Sequence, residues 1–197
     1  MKTAILIALL FLCSCESPQI LSNSFPQVLS NKNLPQVSIT AIPKNIDEFA
    51  KLCEKHNNSQ GAVAMTILAM WIYAEDQDFG QKAMSIIVSP TQQNPGQKGV
   101  NGIQIRNIDL QRLKDRVRNK RYILQSYFKG TTAPQYDVTL PFTITTYTTP
   151  RSEQGQGSLK IMTNCNGADN ARPVTVHNYN GRWVTKEWSS LMLGVRK

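Results

Sequence analysis

Hydrophobic and polar positions alternate with different periods along this chain, and each change of period marks an element. Ala4 to Leu12 (AILIALLFL) form an unbroken apolar run behind Lys2. The run is far shorter than the ~20 residues needed to span a bilayer, so it reads as the apolar region of an export signal covering residues 1–14. Residues 15–42 show no sustained periodicity and are rich in Ser, Asn, Gln and Pro. Within them Ser17-Pro18-Gln19-Ile20-Leu21-Ser22-Asn23 returns as Phe25-Pro26-Gln27-Val28-Leu29-Ser30-Asn31, and in degraded form from Leu34 to Val37. Units this short cannot stack as a solenoid. They predict a flexible tether reaching roughly 30 Å.

A domain is expected over 43–197. Asn45 predicts the cap of a first helix over Ile46–Cys53, with Glu48 at the capping-box position and Ile46, Phe49, Ala50 and Cys53 on one face. Ser59 opens Gly61–Tyr73 (GAVAMTILAMWIY), which is apolar all round and predicts a buried central helix. Asp76 and Asp78 lead a third helix over Phe79–Val88. The Pro/Gly/Gln segment Ser89–Gly102 predicts a loop. Asn107 or Asp109 is expected to cap a fourth helix reaching about Asn119, with Ile108, Leu113 and Val117 inward. After Gly130 the period shortens to two. Strands are predicted in 137–148, 158–163, 173–179 and 182–188, and Asn180-Gly181 is a strong hairpin signal. Helices followed by successive strands imply an α+β fold, with N-terminal helices packed on a C-terminal antiparallel sheet.

The run ends in Leu12-Cys13-Ser14-Cys15, which resembles the lipobox of bacterial lipoproteins. The resemblance implies cleavage before Cys15 and acylation of that cysteine, palmitate included. The chain would then sit on the periplasmic or cell-surface side, held to a membrane by lipid. Two or three acyl chains anchor stably where one is marginal. Without residues 1–14 the chain keeps 21 basic against 13 acidic residues, a net charge of +8. Such a surface attracts phosphates, anionic headgroups or acidic proteins and says nothing about fold; nucleic acid is not an expected partner. Cys53 and Cys165 then remain in a compartment where disulfides persist. The pair is either bonded, closing a loop worth up to ~4.7 kcal/mol in the entropic model, or two free thiols.

From about residue 39 onward the chain resembles an uncharacterised bacterial domain family known only as a domain of unknown function. The stretches that carry the resemblance are Ile42–Phe49, Asp115–Lys120, Ser126–Gly130, Gly167–Asp169, Arg172–Val176 and Trp183–Leu191. It implies no activity, cofactor or catalytic residue. The last hairpin is also similar to that of cone-shaped α+β domains of the nuclear-transport-factor-like type, a likeness of fold only.

Residue types able to carry chemistry are sparse. His56 and His177 are the two histidines, and no HExxH or CxxC spacing occurs. Glu75-Asp76-Gln77-Asp78 could open a calcium loop, but Ile87 stands where a bidentate Glu is required; helix ending and capping explain the acids. No Gly-x-Ser-x-Gly elbow or phosphate loop is present. No catalytic residue, metal site or cofactor is therefore expected. The strongest functional feature is the basic segment of Arg112, Lys114, Arg116, Arg118, Lys120 and Arg121, with Arg106 nearby. On one helix Arg112, Arg116 and Lys120 would form a stripe for an anionic headgroup or acidic partner. The alternative is a solvated face with Asp115 paired to Arg118. Trp183 and Trp188 have opposite parity and are expected on opposite faces of the last hairpin.

The reading that results is a membrane-anchored lipoprotein acting as a non-catalytic binding or interaction module at the cell envelope. Its alternatives are a small-molecule-binding or enzymatic cone-shaped α+β domain and a structural envelope lipoprotein.

Overall fold

The computed structural model describes residues 34–197. The readings that fall on residues 1–33, among them the export signal, Cys15 acylation and most of the tether, lie outside the described residues.

Three helices follow one another in the N-terminal half. Helix α1 (Ile46–Lys55) is capped by Asn45, whose side chain accepts the Glu48 N–H at 2.9 Å. Helix α2 (Ser59–Glu75) begins after Asn58, which caps Gly61 N–H, and helix α3 (Gln77–Ile87) begins after Asp76, which caps Phe79 N–H. Each cap satisfies a helix-end donor that would otherwise be orphaned. The acids at 75–78 thus end one helix and start the next, as their spacing predicts. The two helices cross closely enough that a Cβ on Gly80 would lie 2.2 Å from Tyr73 Cα, so only glycine fits there.

The C-terminal half supplies four of the sheet's five strands. Strands β1 (Gln36–Ile39), β4 (Phe142–Tyr147), β5 (Ser158–Thr163), β6 (Arg172–Tyr179) and β7 (Arg182–Glu187) form one curled antiparallel sheet in the order β1-β4-β5-β6-β7. The fold is α+β, with the helices N-terminal to most of the sheet. Asn180 and Gly181 both take positive φ, which is the backbone a two-residue hairpin turn needs.

Strand β1 lies inside the segment read as tether. Val37 and Ile39 alternate inward against β4, and Thr146 N–H extends the ladder to Pro35 O at 3.0 Å. An alternation only two apolar residues long, beside Pro35, left little periodic signal.

Helix α2 packs against all five strands of the sheet and is buried on every side from Gly61 to Met70. Its side chains form the core between this helix and the sheet. Replacing a residue such as Leu68 with Ala would leave a cavity costing about 2–5 kcal/mol. Thr66 is the polar exception, and its hydroxyl meets that of Thr185 on β7 at 2.5 Å while donating to Ala62 O at 2.8 Å.

A second, two-stranded sheet occupies the segment expected to be loop. Strands β2 (Gln93–Val100) and β3 (Ile103–Ile105) pair antiparallel around Asn101-Gly102, with residues 96–99 bulging out of register. Helix α4 (Asn107–Arg116) and the single turn α5 (Tyr122–Gln125) follow. Leu113 and Val117 are buried as expected, whereas Ile108 points to solvent. Neither Asn107 nor Asp109 caps α4; Arg106 holds that position without a side-chain bond.

Candidate functional site

Two depressions flank the β2–β3 hairpin. The larger is a cleft of about 560 Å³ between α1, the end of α3, this hairpin and the β6–β7 hairpin. Ala50, Ile86, Val100 and Ile103 give it apolar walls, and the Tyr179 and Trp183 rings face it from the far side. Gln93, Asn101 and Asn180 add neutral amides, while Glu54 and Arg182 bring one charge of each sign. The aromatic wall is held by Asn57, which donates to Gly181 O at 2.9 Å and accepts Trp183 N–H at 2.8 Å. Arg182 is likewise tied, donating to Ile86 O at 3.1 Å.

The smaller depression, about 360 Å³, meets the hairpin at Lys98 and shares no lining residue with the cleft. It is lined by Tyr73 of α2, Gln77 and Gln81 of α3, Lys98 from the β2 bulge, and Lys114 and Arg118 from α4 and the turn after it. No carboxylate lines it. Gln81 is only 7% exposed, and its Oε1 has no hydrogen-bond partner among the described residues.

The basic segment is therefore divided. Helix α4 ends at Arg116 and Asn119 takes a left-handed φ of 61°, so Arg112, Arg116 and Lys120 do not form one helical stripe. Arg112 pairs at 3.1 Å with Asp109, a buried carboxylate also held by Arg106 at 2.8 Å. It lines a separate depression with Lys186, Glu187 and Trp188. Arg121 reaches Glu75 at 3.1 Å. Asp115 accepts from Gln111 at 2.8 Å and forms no ion pair with Arg118 among the described residues. Lys114 and Arg118 are the two members of the predicted patch that converge, joined by Lys98 from another element. Arg116 and Lys120 are exposed.

A family model described as Domain of unknown function (DUF6935) matches residues 41–197. The chain belongs to that family. The match takes in both depressions and every element after β1. No curated protein and no solved structure matches the chain.

Within this DUF6935 domain Cys53 and Cys165 are not bonded to each other. Cys53 lies in the cleft beside Arg182 and Trp183. Cys165 contacts Ser126 at 3.2 Å, near the opposite end of β6. Trp183 pairs with Asn178 while Arg172 pairs with Thr163, so the two thiols sit at opposite ends of β6. That strand separates them by roughly 20 Å at ~3.3 Å per residue, far beyond disulfide reach. Burial pushes the Cys53 thiol up to about 12, with Arg182 offsetting it slightly. A thiol so protonated is a poor nucleophile.

The DUF6935 domain also brings a serine to a histidine: Ser89 Oγ lies 3.4 Å from His177 Nε2. Ser89 is fully buried, contacts Thr91 Oγ1 at 2.9 Å and caps the short 3₁₀ turn Pro90–Gln92. Its hydroxyl is structural, being shut away from any substrate. His56 terminates α1 as its C-cap. Among the described residues no three His, Cys, Asp or Glu side chains come together as metal ligands, and no helix is long and apolar enough to cross a membrane. Trp188 is buried in the core and Trp183 is half-buried on the cleft wall.

Proposed function

We propose that this protein is a bacterial lipoprotein, anchored through acylated Cys15 at the cell envelope, whose domain is a non-catalytic binding module with its ligand seat in the large cleft. The observation that carries the reading is the cleft itself. Its volume suits a small molecule, and its walls combine apolar area with a few convergent polar groups. The charges nearly cancel, so the favoured ligand is uncharged, with an apolar face for Tyr179 and Trp183 and hydrogen-bonding edges for Gln93, Asn101 and Asn180. The protonated Cys53 thiol supports binding over covalent chemistry.

The test is a thermal-shift screen of uncharged small molecules against the full chain and against Ile103→Arg. Ile103 is 39% exposed on the cleft rim, so the arginine obstructs the cleft without entering the core. Compounds that stabilise the parent and not the variant support the reading. Stabilisation of both alike, or of neither, overturns it. Anchoring is read separately, by palmitate labelling that Cys15→Ala abolishes.

A further inference from the structure

Lys98 on the β2 bulge, and Lys114 and Arg118 four residues apart around the end of α4, line one depression with no carboxylate among its lining residues. None of the three forms an ion pair among the described residues, whereas Arg106, Arg112, Arg121 and Arg196 all do. A cluster of like charges with no carboxylate in its lining favours an anion, an attraction that solvent screens because the three are exposed. All three are exposed, as Arg116 and Lys120 are, but these three share one depression whose other lining includes Gln77, Gln81, Asn107 and Gln111.

The second observation is Gln81. Its side chain belongs to the same pocket, is more than nine-tenths buried and leaves an acceptor oxygen unfilled. A buried acceptor without a donor is destabilising. The final torsion of a glutamine is soft, so the amide can turn toward a hydroxyl that enters the pocket. Cations ask for an anion and Gln81 asks for a donor. One ligand class meets both demands.

We infer that the depression between α3, the β2 bulge and the end of α4 binds a phosphorylated polyol. Its phosphate lies among Lys98, Lys114 and Arg118, and a hydroxyl of the same molecule donates to Gln81 Oε1. A volume of about 360 Å³ leaves ample room for a group of glycerol-phosphate size. The same chemistry is offered by a free phosphate ester and by a glycerol-bearing phospholipid headgroup. The site is separate from the large cleft and stands or falls independently of it.

The experiment uses the full chain carrying Cys15→Ser, so that no acyl group contributes, titrated calorimetrically with glycerol 3-phosphate and with sulfate, which has no donor. Binding of glycerol phosphate weakened tenfold or more by Lys114→Gln or Arg118→Gln, and less than twofold by Arg116→Gln or Lys120→Gln, supports the site (about 1.4 kcal/mol per factor of ten). Gln81→Leu then lowers the affinity for glycerol phosphate toward that for sulfate. Co-sedimentation with phosphatidylglycerol vesicles, but not phosphatidylcholine vesicles, identifies the headgroup as a source. Binding of the soluble ester alone identifies the free phosphate. Absence of binding to either at millimolar concentration overturns the proposal, as does equal weakening by the pocket and control variants.

Discussion

The side-chain carbonyl of Asn57 accepts the backbone N–H of Trp183 at 2.8 Å, across 126 positions of sequence. Its amide donates to Gly181 O at 2.9 Å, so one residue between α1 and α2 clasps two positions of the last hairpin. The helical half of the chain thereby fixes the aromatic wall of the cleft, and a local turn residue becomes a tertiary fastener.

Asn57→Ala removes both bonds. Asn57 is exposed, so water replaces part of what is lost, and the expected destabilisation is about 1–2 kcal/mol. Urea unfolding followed by tryptophan fluorescence measures it. An unchanged midpoint would show that the clasp contributes nothing net.

Thr66 and Thr185 give a sharper test because both are fully buried. Thr66→Val leaves Thr185 Oγ1 with only Ala62 O, at 3.4 Å, and should cost about 1–3 kcal/mol. Replacing both threonines by valine removes donor and acceptor together. The double variant should therefore be less destabilised than the sum of the singles, and a double-mutant cycle in urea reads the coupling. Strict additivity would mean that the two hydroxyls do not interact.

How much of this was legible in the sequence is clearest from two matching dipeptides. Asn180-Gly181 was readable as a turn because β-branched and aromatic residues flank it on both sides. Asn101-Gly102 makes a turn with the same signs of φ, but Pro95, Gly96 and Gly99 precede it and gave its strand the look of a loop. Those glycines have a spatial reason that no periodicity expresses. A Cβ on Gly99 would fall 1.7 Å from Ile103 O, and one on Gly96 would strike the Gln104 side chain. Because this hairpin walls both depressions, missing it hid the candidate sites while leaving the fold class intact. The basic segment is divided for a related reason: Asn119, a helix-ending residue type, sits in a turn three residues beyond the end of α4 and not at its last position.

The free state of the cysteines predicts their reactivity. Cys53 is raised from 9.0 to about 12 and Cys165 is buried. At mildly alkaline pH the thiolate fraction of Cys53 falls on the order of a thousandfold below that of an ordinary thiol. The folded chain should alkylate slowly at both positions and the urea-unfolded chain quickly, with mass spectrometry counting two adducts at Cys53 and Cys165. Reductant should leave the melting temperature unchanged. A drop on adding reductant would point to a disulfide instead.

Acid sensitivity follows from the histidines. Burial, and then Lys186, holds His177 below its ordinary 6.5; burial, and then Lys55, does the same for His56. In the unfolded chain both return to about 6.5, so between the two values the unfolded chain binds more protons than the folded one. Stability is then fully present above about pH 6.5 and is lost as pH falls through the folded-state values. Melting temperatures should fall as the solution is acidified from about pH 7.5 to about pH 5, and the combined His56→Gln and His177→Gln variant should flatten that slope. If the variant keeps the parental slope, carboxylates rather than these imidazoles carry the acid sensitivity.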